Sequence, residues 1–204
     1  MHISSRISLV VLSLGACLFS AHVGAQEVRS KLEVEDPEFE SIQSPEFNVN
    51  GGDRKKFNPK DWMQIEVPLK LQLRPEPASQ YADDVLINWY VAVQDQDNKY
   101  LLLEKTVKYR NIPLNESVFA TVFISPASLK RLTGSERADK GKVWGVAAVV
   151  TYKGGEPEIS SSKSEEEWWK SPSLSKSKAF PLMAKHETPF ANFWWDRYIQ
   201  EIKE

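Results

Sequence analysis

The sequence predicts a mainly β fold, an antiparallel β-sandwich with a short C-terminal helix. Three observations carry that expectation. Residues 63–73 alternate strictly between apolar and polar side chains, several later stretches are β-branched or aromatic and end in turn signals, and no regular strand–helix alternation appears. With 204 residues, 41% of them hydrophobic and 26% charged, the chain suits one domain with appendages and can bury a core. The formal net charge of -2 gives no basic footprint, so nucleic acid is not an expected partner.

Residues 1–25 read as a secretory signal peptide. Arg6 supplies the charged start, "ISLVVLSLGACLF" is an apolar core too short for a membrane span, and Val23 and Ala25 occupy the small-residue positions before a cut. The mature chain is then expected to begin at Gln26 in an extracytoplasmic compartment: periplasm, outer surface or medium. A rival reading uses Cys17, because "LGAC" loosely resembles the lipobox at which bacterial lipoproteins are cleaved and lipidated. Cys17 is the single cysteine of the sequence, so disulfides do not support the fold.

The elements follow in order. Residues 26–59 are polar, repeat Pro-Glu-Phe at 37–39 and 45–47, and carry an "NGGD" turn, which gives an extended arm of short edge strands. Met63, Ile65, Val67, Leu69, Leu71 and Leu73 form one face of a strand; Gln64, Glu66, Lys70 and Gln72 form its wet face, and Pro68 suggests an edge or a bulge. "VLINWYVAV" at 85–93 and "YLLLEKTVKY" at 100–109 pair as a hairpin through "DQDN". "SVFATVFI" at 117–124 is a strand, and Ser125, Pro126 and Gly134 punctuate a short helix whose Leu129 and Leu132 face inward. "VWGVAAVVTY" at 143–152 is a central strand, followed by a "KGGE" turn. The sandwich is placed at 60–160 and a Ser-, Lys- and Glu-rich polar loop at 161–187. Residues 188–204 are expected to form an amphipathic helix packed on the sandwich: Thr188 caps, Pro189 opens, and Phe190, Phe193, Trp194, Trp195, Tyr198 and Ile202 recur mostly every three or four residues.

A tryptophan central in one strand, Trp89, with a tyrosine near the end of a later one suggests an immunoglobulin-like sandwich, although the bridging cysteines are missing. The stretches "DPEFE", "SPEFNVNGGDRKKFNPKDW", "NWYVAV", "IPLNESVF", "ISPASLKRLTG" and "KHETPFANFWWDRY" resemble a small family of secreted proteins from gut Verrucomicrobia, whose mucin-degrading member is encoded beside type IV pilus-like components. The resemblance covers most of the mature chain. It implies an immunoglobulin-like fold, an extracytoplasmic location and association with a surface or pilus-like assembly, with no enzymatic activity and no catalytic residue.

The residues themselves offer no catalytic constellation. His186 is alone outside the signal segment, and neither a nucleophile elbow nor a glycine-rich phosphate loop appears. Asp83 with Asp84, and Glu165–Glu167, are adjacent carboxylates that point to opposite faces of a strand and do not share a cleft. Asp95 and Asp97 suit a hairpin turn or a weak calcium site. No catalytic, cofactor or metal residue is therefore assigned, and the chain is not expected to be an enzyme. Of the seven tryptophans, Trp89 and Trp144, with Leu69 and Leu71, are assigned to the core. Trp168, Trp169, Trp194 and Trp195 are the candidate binding surface, for surface or pilus-like assembly proteins or, in the alternative, for glycans as in a carbohydrate-binding module. For Trp168 and Trp169, folding back over a sheet is the competing fate. Intact-mass measurement of exported protein is expected to give a chain starting at Gln26; a diacylated Cys17 overturns that reading.

Overall fold

A computed structural model of the chain describes residues 29–46 and 58–203; the signal segment, Cys17 and the "NGGD" turn lie outside them. Thirteen strands and one α-helix follow in order: β1 (Arg29–Val34), β2 (Glu38–Gln43), β3 (Asp61–Arg74), β4 (Tyr81–Ala82), β5 (Val85–Gln94), β6 (Tyr100–Arg110), β7 (Ile112–Pro113), β8 (Val118–Ile124), α1 (Pro126–Thr133), β9 (Val143–Tyr152), β10 (Glu158–Ser161), β11 (Ser175–Lys176), β12 (Leu182–Ala184) and β13 (Gln200–Glu201). In the five-stranded sheet β1 and β2 both pair with β3, β3 pairs with β8 and β8 with β12, all antiparallel. The six-stranded sheet runs β10-β9-β5-β6, with β11 and β13 sharing the free edge of β6; only β11 is parallel to its neighbour.

The two sheets face each other across one core. Met63, Ile65, Val67, Leu69 and Leu71 of β3 and Val122 and Ile124 of β8 join Val85, Ile87, Trp89, Val91 and Val93 of β5 and Val146, Ala148 and Val150 of β9 in a single buried cluster. Period-two alternation does this directly, since every second side chain of each strand points the same way. Leu69, Leu71 and Trp89 are core residues as expected. The β5–β6 hairpin has its "DQDN" turn held by Asp95, whose Oδ1 accepts from the backbone N–H groups of Asp97 and Lys99 at 2.9 and 2.8 Å. That is turn chemistry, and among the described residues no group of three or more His, Cys, Asp or Glu is gathered for a metal ion.

The 126–133 helix matches its sequence signals. The Ser125 hydroxyl accepts from Ser128 N–H at 3.2 Å, Pro126 opens the first turn, and Gly134 closes it at φ 76, a conformation that a β-carbon would strain. Leu129 and Leu132 are buried against the core.

Two expectations need correcting. β3 is a central strand, and Pro68 sits opposite the break between β1 and β2, where its carbonyl accepts from Glu35 N–H at 3.0 Å and no ladder bond needs the missing donor. The expected helix at 188–204 does not form. That segment is a run of turns with i→i+3 backbone bonds (Ala191 to Thr188, Phe193 to Phe190, Arg197 to Trp194), ending in β13. Successive turns of this kind recur every three residues, so they imitate helical spacing, while aromatic residues have weak helix propensity and the chain gains more by pairing with β8 and β6.

Leu71→Ala is expected to cost about 2–5 kcal/mol in denaturant titration, and Lys70→Ala, on the opposite face, under about 0.5 kcal/mol. Equal losses at the two positions overturn the assignment of faces.

Candidate functional site at the aromatic C-terminal strap

Both outer faces of the molecule carry aromatic covers, and they differ in what they leave exposed. On the six-stranded sheet, Trp168 and Trp169 pack with Ala92, Leu102 and Ala147 in a second buried cluster, 4% and 5% exposed. Trp169 stacks on Tyr90 with centroids 5.2 Å apart, Trp168 meets Trp144 edge-on at 5.3 Å, and its indole N–H donates to Ser161 Oγ at 3.0 Å. The pair is therefore not a binding surface. A polar, Ser- and Glu-rich loop folds onto the sheet because the outward positions beneath it are small: a β-carbon on Gly145 would lie 3.1 Å from the Trp168 ring.

Trp144 belongs to this cover and not to the central core. The register of β5 against β9 shifts between Ala92 and Val93, which pair with Gly145 and Val143, so a bulge turns Trp144 outward, where it stays half-buried.

On the five-stranded sheet the cover is the strap 188–199. Phe190 is fully buried, stacked on Phe123 at 4.9 Å and edge-on to Trp62 at 5.7 Å. Thr188 fixes its approach, donating through Oγ1 to the Lys185 carbonyl at 2.7 Å and accepting from Phe190 N–H at 3.1 Å. Farther on, Arg197 lies over the Phe119 ring at 3.7 Å and donates to Glu66 Oε2 at 2.8 Å. The Tyr198 hydroxyl donates to Glu66 Oε1, and Gln64 Nε2 donates to both, at 2.7 Å to the hydroxyl and 2.8 Å to the carboxylate. Backbone bonds with Phe119 run on both sides of Tyr198, from Phe119 N–H to the Arg197 carbonyl and from Ile199 N–H to the Phe119 carbonyl.

Gln64 and Glu66, expected on a wet face, are thus 2% and 7% exposed. Burial, reinforced by the Glu66 hydrogen bond and charge, pushes the Tyr198 hydroxyl far above its ordinary value. A phenol held protonated against a carboxylate that already accepts from a guanidinium and an amide acts as a lock on the strap. The Arg197 guanidinium is held above its usual range, chiefly by its hydrogen bond to Glu66.

A second anchor follows. Glu201 accepts from Lys185 N–H and His186 N–H, each at 2.9 Å, and contacts His186 Nδ1 at 2.6 Å. Between the anchors, Trp194 and Trp195 stand out, 47% and 63% exposed. Trp194 adopts φ 53 and lays one face over Phe190 at 6.2 Å. On one side of it is a groove of about 180 Å³ containing Glu40, Glu66, Arg197 and Tyr198. Trp195 instead borders a pocket of about 380 Å³ with Lys185, Arg110, Tyr198 and Lys203. The sequence marked both exposed tryptophans, but the Glu66 lock and the Lys185 pocket carry no local signature, since they join residues more than a hundred positions apart in one case and three separate segments in the other.

A protein-family model matches residues 23–204. The crystal structure of a protein from Akkermansia muciniphila is similar, with 36% sequence identity and a TM-score of 0.81, over 87% of this chain and 95% of that one. No curated protein matches.

Arg197→Ala is expected to lower stability by about 1–3 kcal/mol, because the buried Glu66 loses its charged partner. Tyr198 holds its proton more tightly folded than unfolded, so the stability it lends is full below its ordinary value of 10.0 and is lost as pH rises toward the folded value. Tyr109, also pushed up by burial, acts in the same direction. Unfolding free energy is expected to fall from pH 10.0 upward, less steeply in Tyr198→Phe; an unchanged slope in the variant overturns the lock.

Proposed function

The chain belongs to the family matched over residues 23–204, which includes the Akkermansia muciniphila protein, and we propose that it is a secreted, noncatalytic, immunoglobulin-like module that binds a protein partner through Trp194 and Trp195 in a bacterial surface or pilus-associated assembly. One observation carries the proposal. Among the described residues the exposed large apolar side chains are Tyr81, Ile159, Trp194 and Trp195, and only the last two are neighbours. Tryptophans are costly to leave in water and are enriched at the energetic centres of interfaces. These two sit on a strap pinned on either side by Glu66 and Glu201, so docking orders little additional chain.

An immunoglobulin-like assignment is supported by two facing sheets and by Trp89 buried mid-strand on β5. The noncatalytic reading is supported by how the carboxylates are used: Glu66 is locked, Asp83 accepts from the Asn111 N–H of a separate segment, and Asp95 accepts backbone N–H groups within its hairpin turn. The pilus-associated setting rests on the sequence resemblance alone, and the extracytoplasmic setting on that resemblance together with the signal-peptide pattern.

The double variant Trp194→Ala/Trp195→Ala is expected to keep its thermal midpoint within about 2 °C, since exposed substitutions cost little. The test is site-specific photo-crosslinking from position 192 in the bacterial envelope, which should give one discrete protein adduct that the double variant loses. An unchanged adduct in the variant, or a large fall in its midpoint, overturns the proposal.

A further inference from the structure

Two charged side chains, Glu66 and Lys185, are among the buried polar residues, and they are treated very differently. Glu66 accepts from Arg197, Tyr198 and Gln64. Lys185, only 6% exposed, donates through Nζ to one acceptor, the Ala191 carbonyl at 3.1 Å, and has no carboxylate within ion-pair distance among the described residues. Its other neighbours are ring faces: Nζ lies 5.5 Å from the Trp195 centroid and 5.3 Å from that of Tyr198. Glu201 is close enough to be felt, but three donors from Lys185 and His186 already occupy its oxygens. An ammonium withdrawn from water with a single hydrogen bond is an incomplete arrangement, and an anion is what completes it.

Lys185 borders the 380 Å³ pocket, whose lining holds three Lys and Arg cations against one carboxylate, that of Glu201. Arg110 and Lys203 add two cations with no ion-pair partner among the described residues, and Asn192 contributes a side-chain amide. Trp195 supplies an aromatic wall. A bare inorganic anion would leave the wall and the amide unused. A purely apolar ligand would leave three cations unused. A sugar ring bearing a carboxylate or sulfate uses all of them, with the anion among Lys185, Arg110 and Lys203, hydroxyls toward Asn192, and the apolar ring face against Trp195.

We infer that this pocket is a binding site for an acidic saccharide, a hexuronate or a sulfated hexose, separate from the buried Trp168–Trp169 pair and additional to the protein-binding role proposed above. Both anion sources share one chemistry, and titration separates them. Isothermal titration of the mature protein with glucuronate and with galactose 6-sulfate should show saturable binding to at least one, at least about tenfold tighter than to galactose, and weakened by salt. Lys185→Met, which retains the stem and removes the charge, and Trp195→Ala, at a largely exposed position, should each weaken it by about tenfold or more while circular dichroism stays unchanged. Equal binding of neutral galactose, equal binding of inorganic sulfate, tighter binding of an acidic peptide, or undiminished binding by both folded variants overturns the inference. The photo-crosslinking adduct is read independently, so either reading can fail alone.

Discussion

The hydrogen-bonded burial of Glu66 organises the outer half of this molecule. A carboxylate in the middle of a central strand, 7% exposed, is tolerable only when its oxygens are filled, and the partners come from the other end of the chain. Bringing Arg197 and Tyr198 to it forces the C-terminal segment along the edge of β8, where the Phe119 backbone receives it on both sides. From there the chain reaches β6 and forms β13. One interaction therefore ties the outer face of one sheet to the free edge of the other, which also covers edges that would otherwise invite pairing with a second chain.

This arrangement explains how a chain without disulfides can hold a two-layered structure. The central core fills the space between the sheets, and each outer face is roofed by aromatic residues from the segments that follow β10. Trp168 and Trp169 settle over Ala92, Ala147 and Gly145, whereas Phe190 stacks over Trp62 and Phe123. Burying an aromatic side chain contributes roughly 1.5–3 kcal/mol, so the two roofs together are comparable with the net stability of a small domain. Their residues are separated from the sheets in sequence, which makes the fold dependent on non-local contacts and places its closure late in chain order.

The strands were legible because their signal is local. Alternation in β3 and β5, and the Ser125, Pro126 and Gly134 signals around α1, depend on neighbours within a few residues. The roofs were not legible, because their cause lies across the chain. Gln64 and Glu66 read as a wet face until Tyr198 covers them, and a bulge opposite Ala92 and Val93 turns Trp144 outward. The spacing that suggested a terminal helix is real, but turns of three residues generate it as well as a helix does. Small outward residues at Ala92, Gly145 and Ala147 were the available hint that Trp168 and Trp169 would be covered.

The C-terminal aromatics therefore divide by task. Phe190 and Tyr198 are held in place, the first by stacking and the second by the Glu66 lock, while Trp194 and Trp195 lie between them on a chain that cannot drift far from either. That geometry favours recognition with little rearrangement, since the entropy of ordering the strap has already been offset by folding. Lys185 connects the two tasks: its backbone N–H holds Glu201, its ammonium rests between the rings of exposed Trp195 and locked Tyr198, and burial keeps that ammonium below its ordinary proton affinity. The proposed anion, arriving beside it, would raise that affinity, and by linkage any ligand that binds the folded strap in preference to the unfolded chain would stabilise the strap.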